Sequence, residues 1–259
     1  MDTSKFFDLT NKTAIVTGGA AGIGKASCEI LAAYGANVVV SDYNLEAAEK
    51  TAKGISDAGG KAIAIDCNVL EDQALVNLVN KTIDKFGSIE ILVNNVGGGG
   101  AGKESPYDID VAQFKKVFDM NVFTMWRLCQ LVAPHMKKAG YGSIINMSSM
   151  ASINTSPAIS AYASSKAAIN HMTRNLAYDF GPDNIRLNAI GPGATKTDAL
   201  NTVLTSELEK AMLKHTPINR LGEAQDIAGA VLYFAAPISS WTSGQVIFIN
   251  GGGEQTLDM

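Results

Sequence analysis

Short apolar runs rich in β-branched residues recur along the chain. Each is followed by a longer stretch in which apolar residues return every three or four positions. The runs are TAIVT from Thr13, NVVVS from Asn37, AIAIDC from Ala62, IEILVNN from Ile89, SIINMS from Ser143, IRLNAI from Ile185 and VIFIN from Val246. Several are apolar on successive rather than alternate residues, the pattern of strands buried on both faces of a parallel sheet. Between them, stretches such as GIGKASCEILAAYG, ending in Gly35, and LEAAEKTAKGISDAGG, ending in Gly59-Gly60, carry a helical period and stop at glycine. Alternation of this kind predicts right-handed crossovers and an α/β fold, a doubly wound parallel sheet of about seven strands with helices on both faces.

No repeat or proline-rich linker divides the pattern, so residues 1–259 are expected to form one domain. Pro182, Pro192, Pro217 and Pro237 are scattered turn markers rather than a hinge. The stretch from Gly191 to Arg220 has no clear strand character and holds one short helical piece, SELEKAMLKH. A connection of that length is expected to serve as a lid.

Composition narrows the function classes. With 46% hydrophobic and 18% charged residues and a formal charge of -4, neither a disordered chain nor a fibre fits. No block of Lys and Arg is long enough to track a phosphate backbone, which argues against nucleic acid as a partner. No apolar run approaches the roughly 18 residues a membrane helix needs. The opening MDTSKFFDLTNKT lacks the apolar core of a secretion signal. Cys28, Cys67 and Cys129 are scattered, odd in number and without a CxxC, so reduced buried thiols and a cytoplasmic location are expected. His135, His171 and His215 show no ligand spacing, and no metal is expected.

The first strand runs into TGGAAGIGK, Thr17 to Lys25. There Gly18, Gly22 and Gly24 permit a tight turn, a close approach to a pyrophosphate and close helix packing. The following helix aims its first amides at the phosphates. A glycine pattern alone is weak, but here a strand precedes it, a helix follows, and the second strand ends in Asp42. A carboxylate there accepts from an adenosine ribose and repels a 2′-phosphate. Ala20 and Ala21 offer no counter-charge, so NAD is expected over NADP. Capping of the LEAAEK helix, the other use for Asp42, falls more naturally to Asn44.

Further along, Ser160 to Asn170 reads SAYASSKAAIN, and the fifth strand delivers Ser149 thirteen residues before the tyrosine. Four residues are one helical turn, so Tyr162 and Lys166 share a face. Free tyrosine, with a pKa of about 10, is a poor base at neutral pH. A nearby cation and the positive end of the helix dipole are expected to lower it. Ser149 can hydrogen-bond a reacting oxygen. Asn121 falls inside DVAQFKKVFDMNVFTMWRLCQLVA, where an amide in so apolar a helix needs a partner.

The glycine turn, Asn94-Asn95-Val96-Gly97, Ser149 and Tyr162-x-x-x-Lys166, in this order and spacing, resemble the short-chain dehydrogenase/reductase family. The resemblance implies a Rossmann-type domain, a nicotinamide cofactor, reversible oxidation of an alcohol and a dimer or tetramer, with a homotetramer expected here. By the same resemblance Tyr162 is the general acid/base, Lys166 its activating partner, Ser149 the substrate-orienting hydroxyl and Asn121 part of a proton relay. It places the NAD-binding set at Gly18, Gly22, Ile23, Gly24, Asp42, Asn68, Val69, Asn95, Tyr162, Lys166, Pro192, Gly193, Thr195 and Thr197. Val96 departs from the family's alanine, and Asn68 from an aspartate whose bond to adenine its amide oxygen can still make.

Within the family, VFTMWRLCQLVAPHM, NNVGGGG, PGATKTDAL and KHTPINRLGEAQDIA resemble the bacterial hydroxysteroid dehydrogenases acting at the 7α position, which implies a bile-acid substrate. Met150, Ile153, Ile159, Val203, Leu204, Leu208 and Met212 are candidate apolar walls, and Gly97 to Gly100 a candidate open floor for fused rings. A sugar or polyol dehydrogenase and a 3-oxoacyl-carrier-protein reductase remain open, though the latter usually favours NADP. So does a nucleotide-binding regulatory protein, which would commonly lack the tyrosine or the lysine.

Overall fold

In the computed structural model, which describes residues 3–99, 104–155, 157–197, 200, 204–214 and 216–253, seven strands form one sheet in the order β3-β2-β1-β4-β5-β6-β7. They are β1 (Thr13–Thr17), β2 (Asn37–Asp42), β3 (Lys61–Asp66), β4 (Ile91–Asn94), β5 (Gly142–Met147), β6 (Ile185–Pro192) and β7 (Val246–Ile249). Every pairing is parallel. The flanking helices are α1 (Gly22–Ala33), α2 (Leu45–Asp57), α3 (Asp72–Phe86), α4 (Val111–Phe118), α5 (Thr124–Ala139), α6 (Ser160–Phe180), α7 (Ser206–Leu213) and α8 (Ala224–Ala235).

Why the strands read as unbroken apolar runs is visible in the two cores. Val16, Val38, Val40, Val93 and Ile145 face one side of the sheet, against Leu31 of α1, Ile55 of α2 and Phe234 of α8. Their neighbours Ile15, Val39, Leu92 and Ile144 face the other, against Leu78 of α3, Leu128 of α5 and Ile169 of α6. A strand covered on both faces has no position left for a polar alternate. Each fully buried aliphatic side chain contributes roughly 1.5–3 kcal/mol.

Boundaries follow local chemistry. Gly35 turns the chain after α1 at φ +97, and a Cβ there would press on Thr10. The fourth strand is shorter than the run from Ile89 predicts. The buried Glu90 carboxylate accepts from Thr13 N at 2.7 Å, so regular pairing begins only at Ile91. The apolar stretch around Asn121 is not one regular helix. Residues Asp119–Phe123, between α4 and α5, form a π-helical turn. A wider turn of this kind re-aims its side chains and recurs at functional sites. The three cysteines are unpaired and buried. Among the described residues no helix is long and apolar enough to cross a membrane.

A buried amide chain ties sheet to helix. Asn94 Nδ2 donates to Asn146 Oδ1 at 2.9 Å, and Asn146 Nδ2 donates to Thr173 Oγ1 at 3.2 Å. It joins β4, β5 and α6 below the strand ends that carry the candidate site. Asn146→Ala leaves the Asn94 amide and the Thr173 hydroxyl without these bonds. The expected cost is about 2–3 kcal/mol of unfolding free energy, read by urea denaturation.

Candidate active site

The C-terminal ends of β1, β4, β5 and β6 open onto a cleft of about 370 Å³. Its lining includes Gly22 and Ile23, Ser149, Tyr162 and Lys166, and also Asn95, Gly97, Pro192, Gly193, Thr195 and Thr197. This edge of a parallel sheet, where β1 and β4 send their chains in opposite directions, is where doubly wound folds bind ligands.

The glycine turn is held by side chains from the next strand end. Asn95 Nδ2 donates to Thr17 O at 2.9 Å, and the Asn95 and Val96 amides donate to Thr17 Oγ1 at 3.0 and 3.2 Å. A Cβ on Gly24 would collide with the Gly18 carbonyl, so close packing of α1 on the turn requires glycine there. Ala21, at the N-cap of α1, makes no side-chain cap, which leaves the first amides facing the cleft. Asp42 closes β2, accepting from Ala20 N at 3.2 Å and Asn44 N at 3.0 Å. Asn44 is the cap of α2, accepting from Ala47 N at 3.1 Å. Asn68, by contrast, turns into a local bend: its oxygen accepts from Leu70 N and its amide donates to Glu71. Neither Asn68 nor the buried Val69 lines the cleft.

Lys166 is 3% exposed and donates from Nζ to Met147 O at 2.7 Å, the last carbonyl of β5. Burial brings its ammonium down to about 8. Nζ lies 5.6 Å from the Tyr162 ring centre, on the same face of α6. Ser149 accepts from Ala151 N at 3.1 Å and hydrogen-bonds the Tyr162 phenol. The phenol itself departs from the sequence-based expectation. Burial raises its pKa, the Ser149 hydrogen bond pulls it down, and the Glu104 charge pushes it up again. Helix placement suggests an activated tyrosine; desolvation, which the linear sequence does not display, works the other way.

Asn121 projects from the π-helical turn with 1% exposure. Its oxygen accepts from Gly98 N at 2.8 Å, and its amide donates to Gly98 O at 2.9 Å and Ser165 Oγ at 2.8 Å. At Gly97 and Gly99 the run is not the open floor its composition suggests. A Cβ on Gly97 would lie 2.8 Å from Lys166 Nζ, and one on Gly99 would lie 2.5–2.7 Å from Tyr162 Cβ and Cγ. These glycines make room for the two side chains rather than for substrate.

Among the described residues, the expected apolar walls do not line the cleft. Met150 is buried, with Asn250 at its sulfur, and Ile153 is exposed. Ile159, Leu204, Leu208 and Met212 are half-buried. Gly100, Val203, His215 and the tail from Glu254 fall outside the described residues. Sequence reasoning missed Glu104, whose carboxylate accepts from Tyr162 N at 3.0 Å from 58 residues away. No local signal marks it. Among the described residues no group of His, Cys, Asp and Glu has a metal-binding arrangement.

The burial of Lys166 has a direct readout. In protein labelled at the lysine ε-carbon, its titration followed by NMR is expected to have a midpoint near 8 instead of the ordinary 10.5. A midpoint with the surface lysines would contradict the buried position.

A family model described as enoyl-(acyl carrier protein) reductase matches residues 18–254. The 7α-hydroxysteroid dehydrogenase of Escherichia coli K12 is 48% identical over 96% of this chain and 97% of its own length. The 3α-hydroxysteroid dehydrogenase of Mediterraneibacter gnavus is 36% identical over 95% and 98%. A solved 7α-hydroxysteroid dehydrogenase complexed with NADH and 7-oxo glycochenodeoxycholic acid superposes with a TM-score of 0.95 at 47% identity, covering 100% of both chains. With that likeness over its whole length and a glycine turn, serine, tyrosine and lysine gathered at one sheet edge, the chain belongs to the short-chain dehydrogenase/reductase family.

Proposed function

We propose that the protein is an NAD-dependent alcohol dehydrogenase that interconverts the 7α-hydroxyl and 7-oxo forms of a bile acid. The observation that carries this reading is the single cleft shared by the glycine turn and by Ser149, Tyr162 and Lys166. The residues present fit a dinucleotide. Uncapped first-turn amides of α1 suit a pyrophosphate, and the Asp42 carboxylate at the end of β2 suits a ribose diol. On this reading Gly18, Gly22, Ile23 and Gly24 hold the pyrophosphate, and Asp42 the adenosine ribose. Asn68, Val69 and Asn95 flank the adenine side, while Pro192, Gly193, Thr195 and Thr197 flank the nicotinamide side. Bound NAD supplies the hydride acceptor.

The chain's own groups handle the proton. Ser149 orients the substrate oxygen by hydrogen bond, and Tyr162 takes the hydroxyl proton. Lys166, one turn along and fixed on Met147 O, stabilises the phenolate that forms. Asn121 supports the relay by clamping Gly98 and Ser165 beside the pair. In the reverse direction the same phenol returns the proton to the oxo group.

The bile-acid assignment leans on the 48% identical 7α enzyme and the solved complex with a 7-oxo bile acid. We take the chain as one domain over residues 1–259, with residues 191–220 as a lid. The lid is stapled at its base, where Lys196 N donates to Gly222 O and Gly222 N to Ala194 O. Leu204, Leu208 and Met212 on this segment are half-buried. A homotetramer fits the exposed Phe123, Trp126 and Tyr178 on the π-helical turn, α5 and α6. Three buried, unpaired cysteines suit the cytoplasm.

Three measurements test the reading. Tyr162→Phe is expected to lower turnover by about 10²–10⁴-fold while NAD binding, followed by fluorescence, is kept. In a bile-acid panel, cholic and chenodeoxycholic acids should be oxidised and deoxycholic acid, lacking the 7-hydroxyl, left untouched. NAD should be preferred over NADP by about tenfold or more. Oxidation of a sugar or short hydroxy acid with all bile acids inert overturns the substrate, and a preference for NADP overturns the cofactor.

A further inference from the structure

The helix that carries Tyr162 is capped from outside itself. Its N-cap position is Ile159, whose side chain makes no capping bond. Glu104, in the loop after β4 and 1% exposed, supplies the missing acceptor: Oε2 takes the Tyr162 N–H at 3.0 Å. The backbone of the same residue fastens the chain entering the helix, with Glu104 N donating to Ala158 O at 2.9 Å. Ala158 sits at φ +55, a left-handed conformation that alanine adopts only when its surroundings hold it there. One buried residue thus pins both the strained approach to α6 and the amide of the tyrosine.

The pinning group also carries charge. Among the described residues, the charged groups facing Tyr162 are Lys166, one turn along α6, and Glu104, from the loop after β4; Ser149, beyond the end of β5, contributes a neutral hydroxyl. A carboxylate near a phenol favours the protonated form, the form that donates to a ketone, and opposes the phenolate that accepts from an alcohol.

We propose that Glu104 is a positioning residue for the reaction, fixing the backbone of Tyr162 through a buried hydrogen bond and placing a carboxylate against the residue that handles the proton. The inference rests on the reading of Tyr162 as the proton acceptor. It also assigns a task to a buried carboxylate that this reading leaves unused.

Glu104→Gln separates the two contributions, because the amide oxygen still accepts from Tyr162 N while the charge is gone. Removing a negative charge eases phenolate formation. The acid limb of kcat/KM for cholic acid oxidation at saturating NAD is therefore expected to move to lower pH. Thermal unfolding of the cofactor-free protein should change little. Glu104→Ala, which also loses the acceptor, is expected to unfold at lower temperature and to lose about tenfold in kcat with an unchanged KM for NAD. A Gln variant whose pH profile superimposes on that of the parent overturns the inference, as does full kcat in the Ala variant. If the Ala variant does not fold, the Gln profile decides alone. Tyr162→Phe, run alongside, keeps the failures apart: retained turnover there sinks the reading of Tyr162 and this inference with it. Lost turnover with an unmoved Gln profile sinks this inference only.

Discussion

An ammonium buried beneath a sheet edge is the constraint around which the site is organised. Lys166 gives up most of its water, which costs heavily unless a fixed acceptor replaces it. Met147 O is that acceptor, and it is available because the chain leaves β5 there; the next amide, Ser148 N, goes to Ile190 O of β6. The arrangement needs α6 close to the strands. Buried Ala161, Ser165 and Thr173 keep it there, the last receiving the Asn146 amide from β5. Glycine at position 97 follows from the same demand, since any Cβ would press on Nζ.

Tyr162 is consequently poised between opposing influences. Burial and the Glu104 carboxylate favour the neutral phenol, while Ser149 favours the phenolate. Lys166, whose own proton is loosened by burial, stands one turn away, and under the proposed mechanism it stabilises the anion. The acid/base role proposed for Tyr162 fits this balance, because each direction needs the opposite protonation state. The π-helical turn serves the same centre from behind: it aims Asn121 at both backbone groups of Gly98, fixing the loop that packs on the tyrosine ring.

Much of this was legible in the linear chain. The seven apolar runs fall on seven strands, because a strand covered on both faces admits no polar alternation and so announces itself. Tyr162 and Lys166 share a helix face because a helix repeats about every 3.6 residues, whatever surrounds it. Asn44 caps α2 as its position before LEAAEK suggests. The glycine turn lies at the cleft because a tight strand-to-helix turn leaves few residue choices.

Elsewhere the chain was silent or misleading. The four-glycine run suggested space for substrate, yet Gly97 and Gly99 are occupied by Lys166 and Tyr162 packing over them. The described apolar residues offered as substrate walls lie outside the cleft. The direction of the Tyr162 shift depends on burial by distant elements, and the existence of Glu104 as a cap on groups 58 residues apart in the chain. By itself, then, the sequence determined periodicity, strand count and the local pairings that backbone geometry dictates. Tertiary structure alone decided burial, charge balance and which distant carboxylate meets the catalytic helix. Desolvation and Coulomb energies depend on distances in space, and separation along a chain does not encode them.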